Sequence, residues 1–205
     1  MQSTDKNFLV PVGGAVVFSP RAGFIDSLSA MYPGRASAAP VLDLLITLLS
    51  MGEEGFQRLL RERLELVPLL REGLSSIVTR YPEWGMRLLP AERNTISVAV
   101  ALAPADRQKD LTFLGSMLFS RNVSGCRVVV KSEKVTPISG SNFINWGAHA
   151  DEYPHSYFTA ACAIGTTSKD INVFLERLEK SIKKYFKEKI SDGSLLPLKE
   201  AHDDD

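Results

Sequence analysis

The chain has 205 residues, 44% of them hydrophobic, with 24 basic and 24 acidic side chains and no formal net charge. That is an ordinary globular composition, long enough to bury roughly 70% of the unfolded surface in one or two domains. Balanced charge excludes a chain that works through a global polyanion-seeking field, so any nucleic-acid contact must come from a local basic patch.

Cys126 and Cys162 form no C-x-x-C pair and sit among small or apolar residues. This reads as reduced, buried thiols and not as a disulfide frame or a zinc site. FLVPVGGAVVF has neither the charged flank nor the cleavage site of a secretory leader. VLDLLITLLSM is too short to span a bilayer and carries Asp43. A soluble, cytoplasmic protein is expected.

Residues 8–18 read as two short strands around a turn at Gly13-Gly14, the first limited by Pro11. MYPGRASAAP, residues 31–40, is a loop leading into a helix over about 41–51. That helix is apolar almost all round, so it is expected to be buried, and Gly52 is its natural stop. An amphipathic helix follows over about 53–80, with Phe56, Leu59, Leu60, Leu64, Val67, Leu70, Leu74 and Ile77 at helical spacing. Pro68 should kink or split it. A soft domain boundary is placed there, giving one region over 1–66 and a second over 67–190.

The second region alternates element types. TISVAVAL, 95–102, is a strand with one buried face, and 107–120 is helical. CRVVVK, 126–131, is a strand and GSNFINWG, 140–147, a further candidate. YFTAACAIG, 157–165, is taken as a short buried helix ended by Gly165. Ser168 then caps a helix that runs to about 190, and the acidic tail 191–205 is expected to be disordered. Mixed helices and strands with short crossovers indicate an α/β or α+β fold.

Lys6 follows a polar run and precedes an apolar one. A lysine at a strand edge gains a nucleophilic amine only when burial disfavours its charge, and it could then form a Schiff base with a carbonyl cofactor. Taken alone, it reads more readily as a solvated lysine. The glycines after it would let the backbone pass close to a bulky group. His149 and His155, near Asp151 and Glu152, match no metal-ligand spacing and read as loop residues, so no metal is expected.

The pattern S-x-D-K-x-x-x-x-P-x-G-G-A resembles the lysine segment of the aspartate-aminotransferase-like, fold type I pyridoxal-phosphate enzymes. QSTDKNFLVPVGGA, MYPGRASAAPVLDLLITLLSMG and LGSMLFSRNVSGCRVVV together are similar to the O-phosphoseryl-tRNA:selenocysteinyl-tRNA synthase family. The similarity runs in order from Gln2 to about Lys187 and is weaker over 81–93 and 131–153.

The resemblance implies the fold: the end of a large pyridoxal-phosphate-binding domain over 1–66 and a small α+β C-terminal domain over 67–190. It implies that Lys6 holds pyridoxal 5'-phosphate and is the catalytic residue. Arg35, in P-G-R-A-S, would grip the substrate phosphate. A guanidinium forks onto phosphate oxygens, although the residues alone leave pairing with Asp43 equally open. Arg121 and Lys187 would touch the tRNA acceptor end. Arg121 is unremarkable alone; Lys187 shares a face at helical spacing with Lys180, Lys183 and Lys184, opposite an apolar stripe. A solvated face diluted by Glu176, Glu179 and Glu188 is the competing reading of those lysines.

The implied reaction is conversion of O-phosphoseryl-tRNA(Sec) to selenocysteinyl-tRNA(Sec) with selenophosphate, by a homotetramer. In such enzymes most of the cofactor site lies upstream of the lysine, and here only five residues precede it. The expectation is therefore a C-terminal part of the synthase whose activity alone is in doubt. Alternatives are another fold type I enzyme acting on a free amino acid, such as a cysteine desulfurase or a decarboxylase, or a non-catalytic tRNA-binding or assembly module.

Overall fold

A computed structural model gives the fold and describes all residues except 12, 33, 35, 36, 106–109, 146–151 and 196–205. The chain divides into two units: Met1–Arg63 with Ala163–Gly165, and Leu64–Cys162 with Thr166–Asp205.

The first unit opens with β1 (Gln2–Ser3), a single helical turn α1 (Thr4–Asn7), β2 (Ala15–Val16) and α2 (Phe24–Met31). The strand-turn-strand expected over 8–18 does not form. Phe8 closes α1 by donating its N–H to the Thr4 carbonyl at 3.3 Å. Leu9 then turns left-handed, at φ 59°. The strand partner of β2 is β1, with Gln2 opposite Val16 and Ser3 opposite Ala15.

Helix α3 is assigned over Ala39–Arg80, broken at Gly52, whose φ of 64° and ψ of 176° are not helical. Gly52 is thus the expected break, whereas Pro68 is carried within the helix. The segment before Gly52 does not take the buried position expected of it. Val41, Leu42, Leu45, Ile46 and Leu49 are all exposed. Its apolar residues run all round, and Val10 is the one buried apolar residue of the first unit among the described residues.

The second unit is built on a four-stranded antiparallel sheet of order β3-β4-β8-β5, from β3 (Arg87–Leu88), β4 (Ser97–Ala101), β5 (Arg127–Val129) and β8 (Tyr157–Ala161). Strand β8 corrects the helix expected over 157–165. Five residues of apolar character fit either element, and here the run starts with Tyr157, Phe158 and Thr159, which suit a pleated surface. Register places Leu88, Val100, Phe158 and Val128 in one row across the sheet. They belong to a single cluster with Leu70, Leu74 and Ile77 of α3, Leu114 and Leu118 of α4 (Thr112–Phe119), and Ile171, Leu178, Ile182 and Phe186 of α5 (Ser168–Ser191). The cluster extends to Leu195, inside the stretch expected to be disordered tail. A separate hairpin pairs β6 (Val135–Ile138) with β7 (Ser141–Ile144). Neither cysteine is in a disulfide, and burial pushes the Cys126 thiol up to about 12, which makes it inert.

Candidate functional site

Thr4 organises the Lys6 segment. Its hydroxyl accepts the Gly14 N–H at 2.8 Å, and its own N–H donates to the Gly14 carbonyl at 3.0 Å. Thr4 is buried, with 3% exposure, so this latch is shielded from water. The latch brings Gly13 against Asp5: a Cβ at Gly13 would lie 2.8 Å from the Asp5 Cγ. At Gly14 a Cβ would lie 3.1 Å from the Pro40 Cβ. The close approach that the glycine pair permits is therefore to Asp5 and Pro40.

Lys6 lies in α1 with its side chain 73% exposed and its Nζ 3.1 Å from an Asp5 carboxylate oxygen. The Ser3 hydroxyl donates to the same carboxylate. That bond, followed by Lys6, holds the Asp5 carboxyl below the usual range. An accessible primary amine fits the aldehyde end of pyridoxal phosphate. The described residues supply no further contact that we assign to its ring or phosphate. Arg35 lies outside the described residues, as does His149, while His155 sits in the bend before β8.

The remaining expected residues stand on the second unit. Arg121 is half-buried in the turn after α4, and its Nη1 donates to the Met117 carbonyl at 2.9 Å. Lys187 is exposed on α5. That helix starts one residue earlier than expected, because Thr167 is the cap. The Thr167 hydroxyl accepts the Asp170 N–H at 3.2 Å, and the Asp170 carboxylate accepts the Thr167 N–H at 2.9 Å.

The lysine face is less uniform than its spacing implies. Lys180 pairs with Glu176 at 2.5 Å and Lys184 with Glu188 at 3.7 Å. Lys183 turns to Glu179 at 3.1 Å and lies 5.0 Å from the Tyr81 ring centroid. Lys187 makes no ion pair among the described residues. Two neighbours escaped the sequence reading. Asp5 was signalled only by standing next to Lys6. Arg177 was signalled by its spacing of three, seven and ten from Lys180, Lys184 and Lys187, but its partner is the carbonyl of Asn122.

The crystal structure of an archaeal O-phosphoseryl-tRNA(Sec) selenium transferase matches this fold with a TM-score of 0.66 at 31% identity, over 87% of this chain and 37% of that one. The mixed α/β architecture is thus that of part of a fold type I, aspartate-aminotransferase-like transferase. The family model described as O-phosphoseryl-tRNA(Sec) selenium transferase matches residues 1–183. Proteins of that name share 43% identity over 199 residues in Dictyostelium discoideum (90% of this chain, 41% of the relative) and 35% over 210 in Caenorhabditis elegans (99% and 43%). The Methanopyrus kandleri protein shares 37% over 182 residues, covering 89% and 38%. The chain belongs to the O-phosphoseryl-tRNA(Sec) selenium transferase family. It spans about two-fifths of the length of these curated relatives.

Proposed function

We propose that this chain carries the lysine and part of the tRNA-binding surface of a selenium transferase that converts O-phosphoseryl-tRNA(Sec) to selenocysteinyl-tRNA(Sec) with selenophosphate. The observation that carries this reading is the family match over residues 1–183, which takes in both the Lys6 segment and the Arg121 turn. Lys6 would hold pyridoxal phosphate through its Nζ, and as a free amine that atom would take up a proton. The bound cofactor supplies an electron sink at the amino-acid carbon. Arg35 grips the phosphate that leaves, a task suited to a bidentate guanidinium. Arg121 and Lys187 hold the acceptor end of the tRNA. The assembly is a cytoplasmic homotetramer, with 1–66 belonging to the cofactor domain and 67–190 to the small domain.

The test is reductive trapping. A longer protein of the family, carrying this segment together with upstream cofactor-domain residues, is mixed with pyridoxal phosphate, reduced with borohydride and mapped by peptide mass. Label at Lys6 well above that at other exposed lysines such as Lys187 is expected, and even labelling overturns the lysine assignment. Phosphate release from phosphoseryl-tRNA but not from free phosphoserine separates this reading from an enzyme of free amino acids.

A further inference from the structure

We propose that Arg177 is the positioning residue for Arg121, fixing the turn from which Arg121 reaches an RNA phosphate. The proposal rests on the RNA-binding reading of Arg121 and Lys187 given above. The turn after α4 is tightly closed: the N–H groups of Arg121 and Val123 both donate to the Leu118 carbonyl at 3.0 Å, and that of Asn122 to Phe119 at 2.9 Å. Asn122 is left-handed, at φ 56°. Its carbonyl accepts from Arg177 Nη1 at 3.1 Å, across 55 residues of sequence. Arg177 thereby ties the peptide that follows Arg121 to α5, between the buried anchors Leu118 and Val123 on one side and Leu178 on the other.

The placement on α5 gives this contact its meaning. At 3.6 residues per turn, positions 177, 180, 184 and 187 fall within about 80° around the helix. Arg177 therefore joins the Arg121 turn to the end of the face that carries Lys180, Lys184 and Lys187. Glu176 and Glu188 offset the charge of Lys180 and Lys184. Among the described residues Arg121 has no ion pair, and the Glu176 carboxyl is held down by Lys180 and, more weakly, by Arg177. A guanidinium carries five N–H groups, and one bond to a carbonyl leaves most of those on Arg121 for phosphate oxygens. The geometry is one in which a half-buried arginine is held in register with a cationic face.

The experiment is a double-mutant cycle on the full 205-residue chain, read by fluorescence anisotropy with a labelled RNA hairpin of acceptor-arm sequence over a salt series. Arg121→Ala should weaken binding about tenfold and lower the salt slope by about 1. Arg177→Ala should weaken it by about fivefold in the parent chain but by less than about twofold when Arg121 is already alanine. Arg177→Lys, which can still donate to the Asn122 carbonyl, should recover most of the loss. Thermal melts check that each variant is folded, and Arg177→Met runs the same cycle where the alanine variant melts below the assay temperature. Losses that multiply in the double variant overturn the positioning role, as does an Arg177→Ala chain that binds like the parent while Arg121→Ala does not. If Arg121→Ala and Lys187→Ala both leave binding unchanged, the RNA reading fails, and the positioning role with it.

Discussion

Glu179→Gln should destabilise the second unit in a manner that depends on pH. The Glu179 carboxylate Oε1 accepts from the Tyr81 hydroxyl at 2.5 Å and from Arg80 Nη1 at 2.9 Å, and Lys183 Nζ lies 3.1 Å away. Tyr81 stacks on Trp84 at 4.1 Å, and Trp84 on Phe186 at 5.2 Å, so the carboxylate ties the end of α3 to the core side of α5. The Tyr81 hydrogen bond, aided by Lys183 and Arg80 and opposed by burial, pushes the Glu179 carboxyl down to about 2. From an ordinary glutamate this is ~3 kcal/mol at ~1.4 kcal/mol per pH unit. The Glu179 side chain is only 19% exposed, but Arg80 is 53% and Lys183 42% exposed. Solvent screening of those two partners reduces the expected effect to ~1–2 kcal/mol. Because the folded carboxyl is the stronger acid, the stabilisation is complete above the unfolded value, about 4.3, and is lost as pH falls towards about 2. Urea titrations of parent and Glu179→Gln followed by far-UV circular dichroism should differ by ~1–2 kcal/mol at pH 7 and by roughly half of that at pH 3, converging only near pH 2 and below. An equal difference at both pH values, or none at pH 7, refutes the reasoning.

Gly73→Ala adds a Cβ that would run into Leu175 Cδ1 and lie 3.2 Å from its Cγ. The ~1 kcal/mol gain in helix propensity should therefore give way to overpacking, a net loss of ~1 kcal/mol; thermal melts should show recovery in Gly73→Ala/Leu175→Ala, and a stabilised single variant would contradict the close approach. Thr167→Ala removes the hydroxyl half of the capping box at the start of α5 and should cost ~1 kcal/mol by denaturant titration.

Much of the second unit was legible because its helices repeat. The apolar positions of α3 and α5 recur at helical spacing over several turns, and Gly52 marks the break in α3 chemically, whereas the cap of α5 is Thr167 and not the Ser168 that its sequence suggests. Strand β8 was not legible in the same way. Five residues, all apolar but Thr159, carry no period that separates strand from buried helix, and pairing with β4 and β5 decides the matter. The local fold around Lys6 depends on the Thr4–Gly14 latch, two hydrogen bonds across ten residues that leave no periodic trace. The same limit hid Arg177, whose spacing is visible in sequence but whose partner carbonyl lies 55 residues away.

The expected site residues make different demands on their surroundings, and this decides what the chain's own fold supplies. A phosphate contact needs an exposed cation in a fixed place. Arg121 and Lys187 stand on elements anchored by Leu114, Leu118, Leu178 and Ile182, all essentially inaccessible to water, so the second unit provides both charge and position. A nucleophilic lysine needs the opposite: a dry setting that disfavours its charge. Lys6 is 73% exposed and salt-bridged to Asp5, in a unit with little core of its own. The Thr4–Gly14 latch fixes where the amine stands but does not desolvate it. In this chain, affinity for RNA should therefore be independent of whether Lys6 is intact. A Lys6→Ala chain that loses acceptor-arm binding in the same anisotropy assay would show that the two demands are coupled.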